Sequence, residues 1–194
     1  YSKYLYKKLQ REGQLERDVD RLIRNDRIAF GSSMVACKDA DAMVTGNIRH
    51  YAASIEKLKH VCNARKGEPI FGMTMIVFKG RTVLVADTNV EDFPSSTRLV
   101  EISKSCVRVS RLFGFEPKVA FLSHSTFGKP ISRNTKHVRD AIEILKKENV
   151  QFDFDGEMQP DVALNPIYQD VYPFSKIVGR ANILIMPALH SAAI

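Results

Sequence analysis

Tryptophan is absent from this 194-residue chain, so Phe and Tyr supply its large aromatic packing. Cysteine is scarce. Cys37, Cys62 and Cys106 are widely and irregularly spaced, with no CxxC and no Cys/His ligand pattern. That excludes a zinc ribbon or finger. An odd cysteine count without a signal peptide fits a reducing compartment, and all three read as buried thiols. No apolar run approaches the ~20 residues that span a bilayer. No Gly-rich dinucleotide loop is present. There is no low-complexity segment and no internal repeat.

What remains is an ordinary globular composition: 44% hydrophobic and 26% charged. Such a chain buries a core rather than staying disordered. The net charge is +7 and the pI about 9.4. Most of that charge falls in residues 1–66, while residues 67–194 are nearly neutral. A basic amino-terminal third either attracts a phosphorylated partner or is a solvated helix surface, and for any single charge the solvated surface is expected. It does not suit nucleic acid, because acids are interleaved with the bases (Glu16, Arg17, Asp18; Asp20, Arg21). The chain starts without Met and stops in what reads as strand, turn and the first turn of a helix. It therefore reads as a piece of a longer protein.

Apolar periodicity predicts helices over Tyr1–Gln10, Glu16–Ile23, Ile28–Cys37 and Tyr51–Val61. A short buried strand is expected at Ala42-Met43-Val44. Gly67-Glu68-Pro69 marks a boundary. Beyond it Ile70–Phe78 and Thr82–Ala86 form a hairpin across Lys79-Gly80-Arg81. A long helix follows, Ser95–Phe113, with Ser95 or Ser96 as its cap after Pro94. Leu99, Ile102, Cys106, Val109 and Leu112 make its core stripe. Val100, Val107 and Phe113 fall off the stripe, which leaves either spare apolar surface for a subunit contact or a helix covered on both sides within one subunit, and the contact is the prediction made. Val119–Leu122, Phe152–Phe154 and Ile183–Met186 read as strands, with a helix at Asn134–Lys147. The alternation of strand and helix indicates βαβ units and parallel sheet, hence the α/β class.

Four segments lie where an open α/β sheet holds ligands. They are Asp39–Gly46, Ala86–Val90, Phe121–Gly128 and Asp155–Asp161. The Ser123–Gly128 loop either holds a phosphate or acyl carbonyl through its hydroxyls and N–H groups, with Lys129 nearby, or only makes a turn. His124 is a base or a satisfied loop residue. Asp155, Glu157 and Asp161 either bind a metal or cap the following helix, and capping is expected. Asp39 and Asp41 orient loops or pair with Arg49. Asn182 is expected to tie the last strand to its neighbour through its amide.

Taken in order, DADAMVTG, ADTNV, SHSTFG, DGEMQPDVAL and GRANILIMPAL resemble the series found in phosphate acetyltransferases and acyl-phosphate transferases. The resemblance covers nearly the whole chain. Ser123-His124-Ser125-Thr126-Phe127-Gly128 is similar to the form of the loop in the malic-enzyme branch of that family, and so is Arg49-His50-Tyr51. The resemblance implies two α/β subdomains with a cleft between them, akin to isocitrate dehydrogenase-like folds, with residues 1–66 in the first and 67–194 in the second. It implies acetyl-CoA or a related acyl-CoA or phosphate ligand, contacted at Thr45, Gly46, Arg49, Tyr51, Ser123, Ser125, Gly128 and Asn182. A ligand-binding Arg of the transacetylases aligns with Glu56, and their Ser-Arg pair and Asp lie beyond residue 194. No catalytic residue and no metal site is therefore expected here. NADP and a divalent metal belong to an amino-terminal half outside this chain, which converts malate to pyruvate. The implied role is that of a regulatory, homo-oligomeric, cytoplasmic domain without membrane or nucleic-acid partners. The alternative is an active phosphate acetyltransferase.

Overall fold

The computed structural model describes residues 1–46, 48–130 and 133–192. The chain divides into two compact units, Tyr1–Lys66 and Gly67–Ile194. Asn47, Ile131, Ser132, Ala193 and Ile194 lie outside the described residues, and with them the last residues of the expected terminal helix turn.

The first unit is helical: α1 (Ser2–Leu9), α2 (Glu16–Asn25), α3 (Arg27–Ala36) and α4 (Tyr51–Val61). Gly13, at φ 82°, ends the 3-10 turn that follows α1. Leu5, Leu9, Val19, Ile23, Ala29 and Val61 form its core. Asp26 ends α2 and caps α3, its carboxylate accepting from the Ile28 and Ala29 amides. The strand expected at Ala42–Val44 is not formed, and Val44 is fully exposed. A strand needs a neighbour for its backbone groups. All the strands among the described residues belong to the second unit.

The second unit is a five-stranded sheet in the order β1-β2-β5-β3-β4. The strands are β1 (Met73–Phe78), β2 (Arg81–Ala86), β3 (Lys118–Leu122), β4 (Asp153–Met158) and β5 (Ile183–Ile185). β1 and β2 form an antiparallel hairpin. Its two-residue turn puts both Lys79 and Gly80 at positive φ, which matches the twist of the flanking strands. β2, β5, β3 and β4 run parallel, so their carboxyl ends share one edge of the sheet. α5 (Ser96–Leu112) and α6 (Lys136–Glu148) pack on one face, over Leu84, Val119, Phe121, Ile183 and Ile185. The other face carries Ala120, Leu122, Met158 and Leu184 under α7 (Pro160–Leu164) and Ile177. A last helical turn, α8 (Leu189–Ala192), follows β5. No helix among the described residues is long and apolar enough to cross a membrane.

Ser95 caps α5 by accepting from the Arg98 amide. The expected spare apolar surface on this helix is not there at two of its three positions. Val100 and Val107 are buried in the main core, and only Phe113, with Leu112, stands exposed near the end. The reason is that α5 packs against α6 as well as the sheet, so a second side of the helix is covered. Two of the three thiols, Cys37 and Cys62, are half-buried rather than buried. Cys106 is fully buried, which pushes its thiol up to about 12.

β4 is longer than its apolar run, taking in Asp155, Gly156 and Glu157, which read as loop from their chemistry. Gly156 makes this possible. It sits at φ 146°, and a Cβ there would lie 2.6 Å from the Phe121 carbonyl oxygen on β3. The register of β3 against β4 shifts at this point, as a bulge does.

Candidate functional site

Buried carboxylates organise the carboxyl edge of the sheet. Asp87 follows β2 and folds the next loop onto itself. Its Oδ1 accepts from the amides of Gly72 (2.7 Å), Asn89 (3.1 Å) and Val90 (3.3 Å), and its Oδ2 from Glu91 (2.9 Å). Asp155 on β4 accepts from the Gly156 amide (2.9 Å) and from the Lys176 amide (2.7 Å). It therefore anchors the segment that crosses the second face of the sheet.

Glu157 is the centre of the third arrangement, with only 1% of its side chain exposed. Its Oε1 accepts from Ser125 Oγ (3.0 Å), the Gly128 amide (2.9 Å) and Arg139 Nη1 (3.4 Å). Its backbone oxygen accepts from the Phe127 amide at 2.7 Å. Ser123 Oγ lies 3.2 Å from Ser125 Oγ and accepts from the Ser125 amide. Gln159 closes the loop from the other side. Its amide donates to Thr126 Oγ1 and its Nε2 to the His124 carbonyl. The hydroxyls of Ser123 and Ser125 are thus turned inward and buried, while His124 and Lys129 are exposed. Beside the loop Phe127 packs on Tyr172 and Phe174, with ring centroids 5.3 and 4.9 Å away.

In the first unit Arg27, Ile28, Met43, Thr45, Gly46 and Arg49 help line a pocket of about 540 Å³ at the amino end of α3. Asp26, the cap of α3, pairs with Arg49 Nη1 at 2.9 Å and with Lys57 Nζ. Burial acts to raise the Asp26 pKa. The Lys57 ammonium, the Ala29 amide and the Arg49 guanidinium outweigh it and hold the carboxyl well below the usual range. A helix amino terminus with two arginines suits an anion; Asp26 fixes Arg49 in place while offsetting part of its charge.

Asp26 carries a pH prediction. Its folded pKa lies below its unfolded value, so its stabilisation is complete above about pH 4 and fades as the pH falls further. Asp26→Asn is expected to lower the stability of the first unit by about 2 kcal/mol at neutral pH. The same change should flatten the acid limb below pH ~4. Urea melts followed across pH check this. An acid limb as steep in the variant as in the parent would assign it to other carboxylates.

The model of the phosphate acetyl/butaryl transferase family matches residues 1–194. The chain belongs to that family. It is 45% identical over 194 residues to the NADP-dependent malic enzyme of Rhizobium meliloti (strain 1021), covering all of this chain and 26% of that protein. It is 30% identical to the phosphate acetyltransferase of Bacillus subtilis (strain 168), over 95% of this chain and 58% of that enzyme. Among solved structures, a phosphotransacetylase from Streptococcus pyogenes superposes with a TM-score of 0.84 at 28% identity, over 98% of this chain and 60% of that one. The chain therefore spans about a quarter of the malic enzyme and under two thirds of the transacetylases.

Within this family frame, the residues expected to touch ligand separate into three groups. Thr45, Gly46 and Arg49 share the pocket of the first unit. Tyr51 is the first residue of α4, 47% exposed and outside that lining. Ser123, Ser125 and Gly128 meet at Glu157. Asn182 is elsewhere: it precedes β5, at the sheet edge opposite the Ser123 loop. Its Oδ1 accepts from the Lys118 amide and its Nδ2 donates to the Glu116 carbonyl. The expected tie between strands is therefore present, and both polar atoms are spent on it.

The carboxylate trio does not cap the next helix. Asp155 and Glu157 lie within β4, and only Asp161 falls in the first turn of α7. No group of three or more potential metal ligands occurs among the described residues. Glu157 and Arg139 were not legible as partners of the Ser123 loop. Arg139 reads as one more charge on an amphipathic helix, and the pairing is set by how α6 crosses β4. The available signal was a charged residue next to Gly156 after an apolar start of strand.

Proposed function

We propose that this chain is the phosphotransacetylase-like domain of an NADP-dependent malic enzyme, binding acetyl-CoA or a related acyl-CoA or acyl phosphate as an effector. In this reading it supports assembly and carries out no acyl transfer. The malate-to-pyruvate reaction, with its NADP and divalent metal, belongs to the rest of the parent protein, in the cytoplasm. The observation that carries the reading is the inward turn of Ser123 and Ser125. Both hydroxyls are held in the Glu157 network instead of facing a reactant. The higher identity to a malic enzyme than to a transacetylase supports the same branch. An effector can act on a distant site only by binding one arrangement of the whole protein better than another.

The pocket at Arg27 and Arg49 offers cationic donors for the phosphates of CoA. Acetyl-CoA is expected to bind with heat measurable by titration calorimetry at up to millimolar concentration. Arg27→Ala and Thr45→Ala should each weaken it about tenfold, the loss of one hydrogen bond to a charged group. No heat at millimolar acetyl-CoA would overturn the effector reading. The alternative, an active phosphate acetyltransferase, is supported by the 30% identity to the Bacillus subtilis enzyme over most of this chain.

A further inference from the structure

A serine inside a helix ordinarily turns its hydroxyl back onto a carbonyl of the preceding turn. Ser103 and Ser110 of α5 do so, donating to Val100 and Val107 at 2.8 Å. Ser105 lies between them, is only 5% exposed, and its hydroxyl makes no hydrogen bond. Every other buried serine and threonine among the described residues has a partner for its hydroxyl. An unpaired buried hydroxyl is destabilising unless something outside the chain pairs with it.

The Ser105 oxygen is not sealed in. It opens on a groove of about 450 Å³ between α5, α6 and the Gly67–Pro69 segment, with Val100 and Ile144 as its apolar part. The whole lining belongs to the second unit. That volume is in the range of small-molecule sites.

Two ion pairs border the groove. Lys104 Nζ reaches Glu148 of α6 at 2.6 Å, and Arg108 pairs with Glu68 of the boundary segment. All four side chains are 32–43% exposed, so the pairs contribute little stability and can exchange partners. They also select what can enter. An anion drawn to Lys104 and Arg108 would leave Glu148 and Glu68 without partners. A cation drawn to the glutamates would leave Lys104 and Arg108 without theirs. A molecule with one ammonium and one carboxylate exchanges partner for partner and leaves no charge unpaired. Its carboxylate is also the acceptor that the Ser105 hydroxyl lacks, in a charge-assisted hydrogen bond.

We infer that the α5–α6 groove binds a free α-amino acid with a small apolar side chain. Its carboxylate rests on Ser105 and Arg108, its ammonium on Glu148, and its side chain on Val100 and Ile144. The site is independent of the acyl-CoA reading and stands or falls without it.

L-Valine is the probe. Isovalerate and isobutylamine are its controls, each keeping the side chain and one of the two charges. In nuclear magnetic resonance of the isotope-labelled chain, L-valine is expected to shift the amides around Ser105 saturably, with a midpoint of about 1 mM. Both controls should bind at least ~10-fold more weakly. Ser105→Ala should weaken L-valine about tenfold and leave the melting temperature unchanged, because no hydrogen bond within the chain is lost. Glu148→Gln should weaken L-valine about tenfold and leave isovalerate no weaker. No saturable shift at ~20 mM L-valine would overturn the site and leave the hydroxyl to water only. Isovalerate binding as tightly as L-valine would overturn the amino acid as ligand. Undiminished binding of L-valine by Ser105→Ala would overturn the role of the serine and with it the proposal. If that variant does not fold, Glu148→Gln, an exposed change at the end of α6, decides alone.

Discussion

Acetyl phosphate and CoA mixed with this chain are expected to give no acetyl-CoA above the uncatalysed background. Acyl transfer to a thiol needs a base for the thiol and donors for the charge that grows on the acyl oxygen. The hydroxyls closest in sequence to that task, Ser123 and Ser125, are buried and committed to each other and to Glu157. His124 beside them is exposed, and its carbonyl is the part held in the loop, by Gln159. Glu56, where the resemblance to transacetylases calls for a cation, is exposed on α4 and would repel a phosphate. Each missing donor commonly costs ~10²–10³ in rate, and two such losses multiply. Acetyl-CoA formation followed by absorbance is the measurement. Turnover of ~1 per second, within the ordinary range for enzymes, would restore the acyltransferase reading. Glu56→Arg alone should not produce it, because the serines remain turned inward.

Much of the second unit could be read before its structure was known, wherever one local rule decided the outcome. Ser95 caps α5 because a hydroxyl after Pro94 satisfies an amide of the first turn. Lys79-Gly80 makes the hairpin because Gly tolerates positive φ at the second turn position. Val138, Ala141, Ile142 and Leu145 bury one stripe of α6, as their spacing required. The readings that failed depended on partners distant in sequence. Met43 has the composition of a strand and no strand to join. Val100 and Val107 read as surplus because a stripe assumes one covered side, and α6 covers another. β4 was cut short at Phe154 because Asp, Gly and Glu disfavour strands. There β3 supplies a pairing partner, and Gly156 fits where no Cβ would.

The same lesson applies to the site. Ser123, Ser125 and Gly128 were named as a group at a ligand, and the structure gathers them as a group around Glu157. The chemistry of hydroxyls and amides in a loop fixes that they need an acceptor. It does not fix whether the acceptor is a bound phosphate or a carboxylate of the protein. Sequence spacing could not choose, because Glu157 stands about thirty positions away on a neighbouring parallel strand.

Glu157→Ala is accordingly expected to cost about 3–5 kcal/mol of stability in the second unit, the range for breaking a buried ionic network by removing one partner. Three donors lose their acceptor at once: the Ser125 hydroxyl, the Gly128 amide and the Arg139 guanidinium. Ser125 is fully buried, so water does not replace the carboxylate at that donor without the loop opening. Arg139 is about one third exposed and also donates to Thr135 Oγ1, so it is the least harmed. The loss therefore falls on the loop more than on the ion pair. Glu157→Gln separates the two contributions. It keeps an oxygen for Ser125 and Gly128 and removes only the charge, and should cost about 1–2 kcal/mol. Arg139→Ala should cost less than Glu157→Ala, and the double variant should fall short of the sum, since the two share one contact. Chemical denaturation of the four proteins measures all of this. Equal losses for Glu157→Gln and Glu157→Ala would place the stabilisation in the charge pair with Arg139. Losses under 1 kcal/mol for both would show that the Ser123–Gly128 loop is held by its own turn and that Glu157 is free for another role.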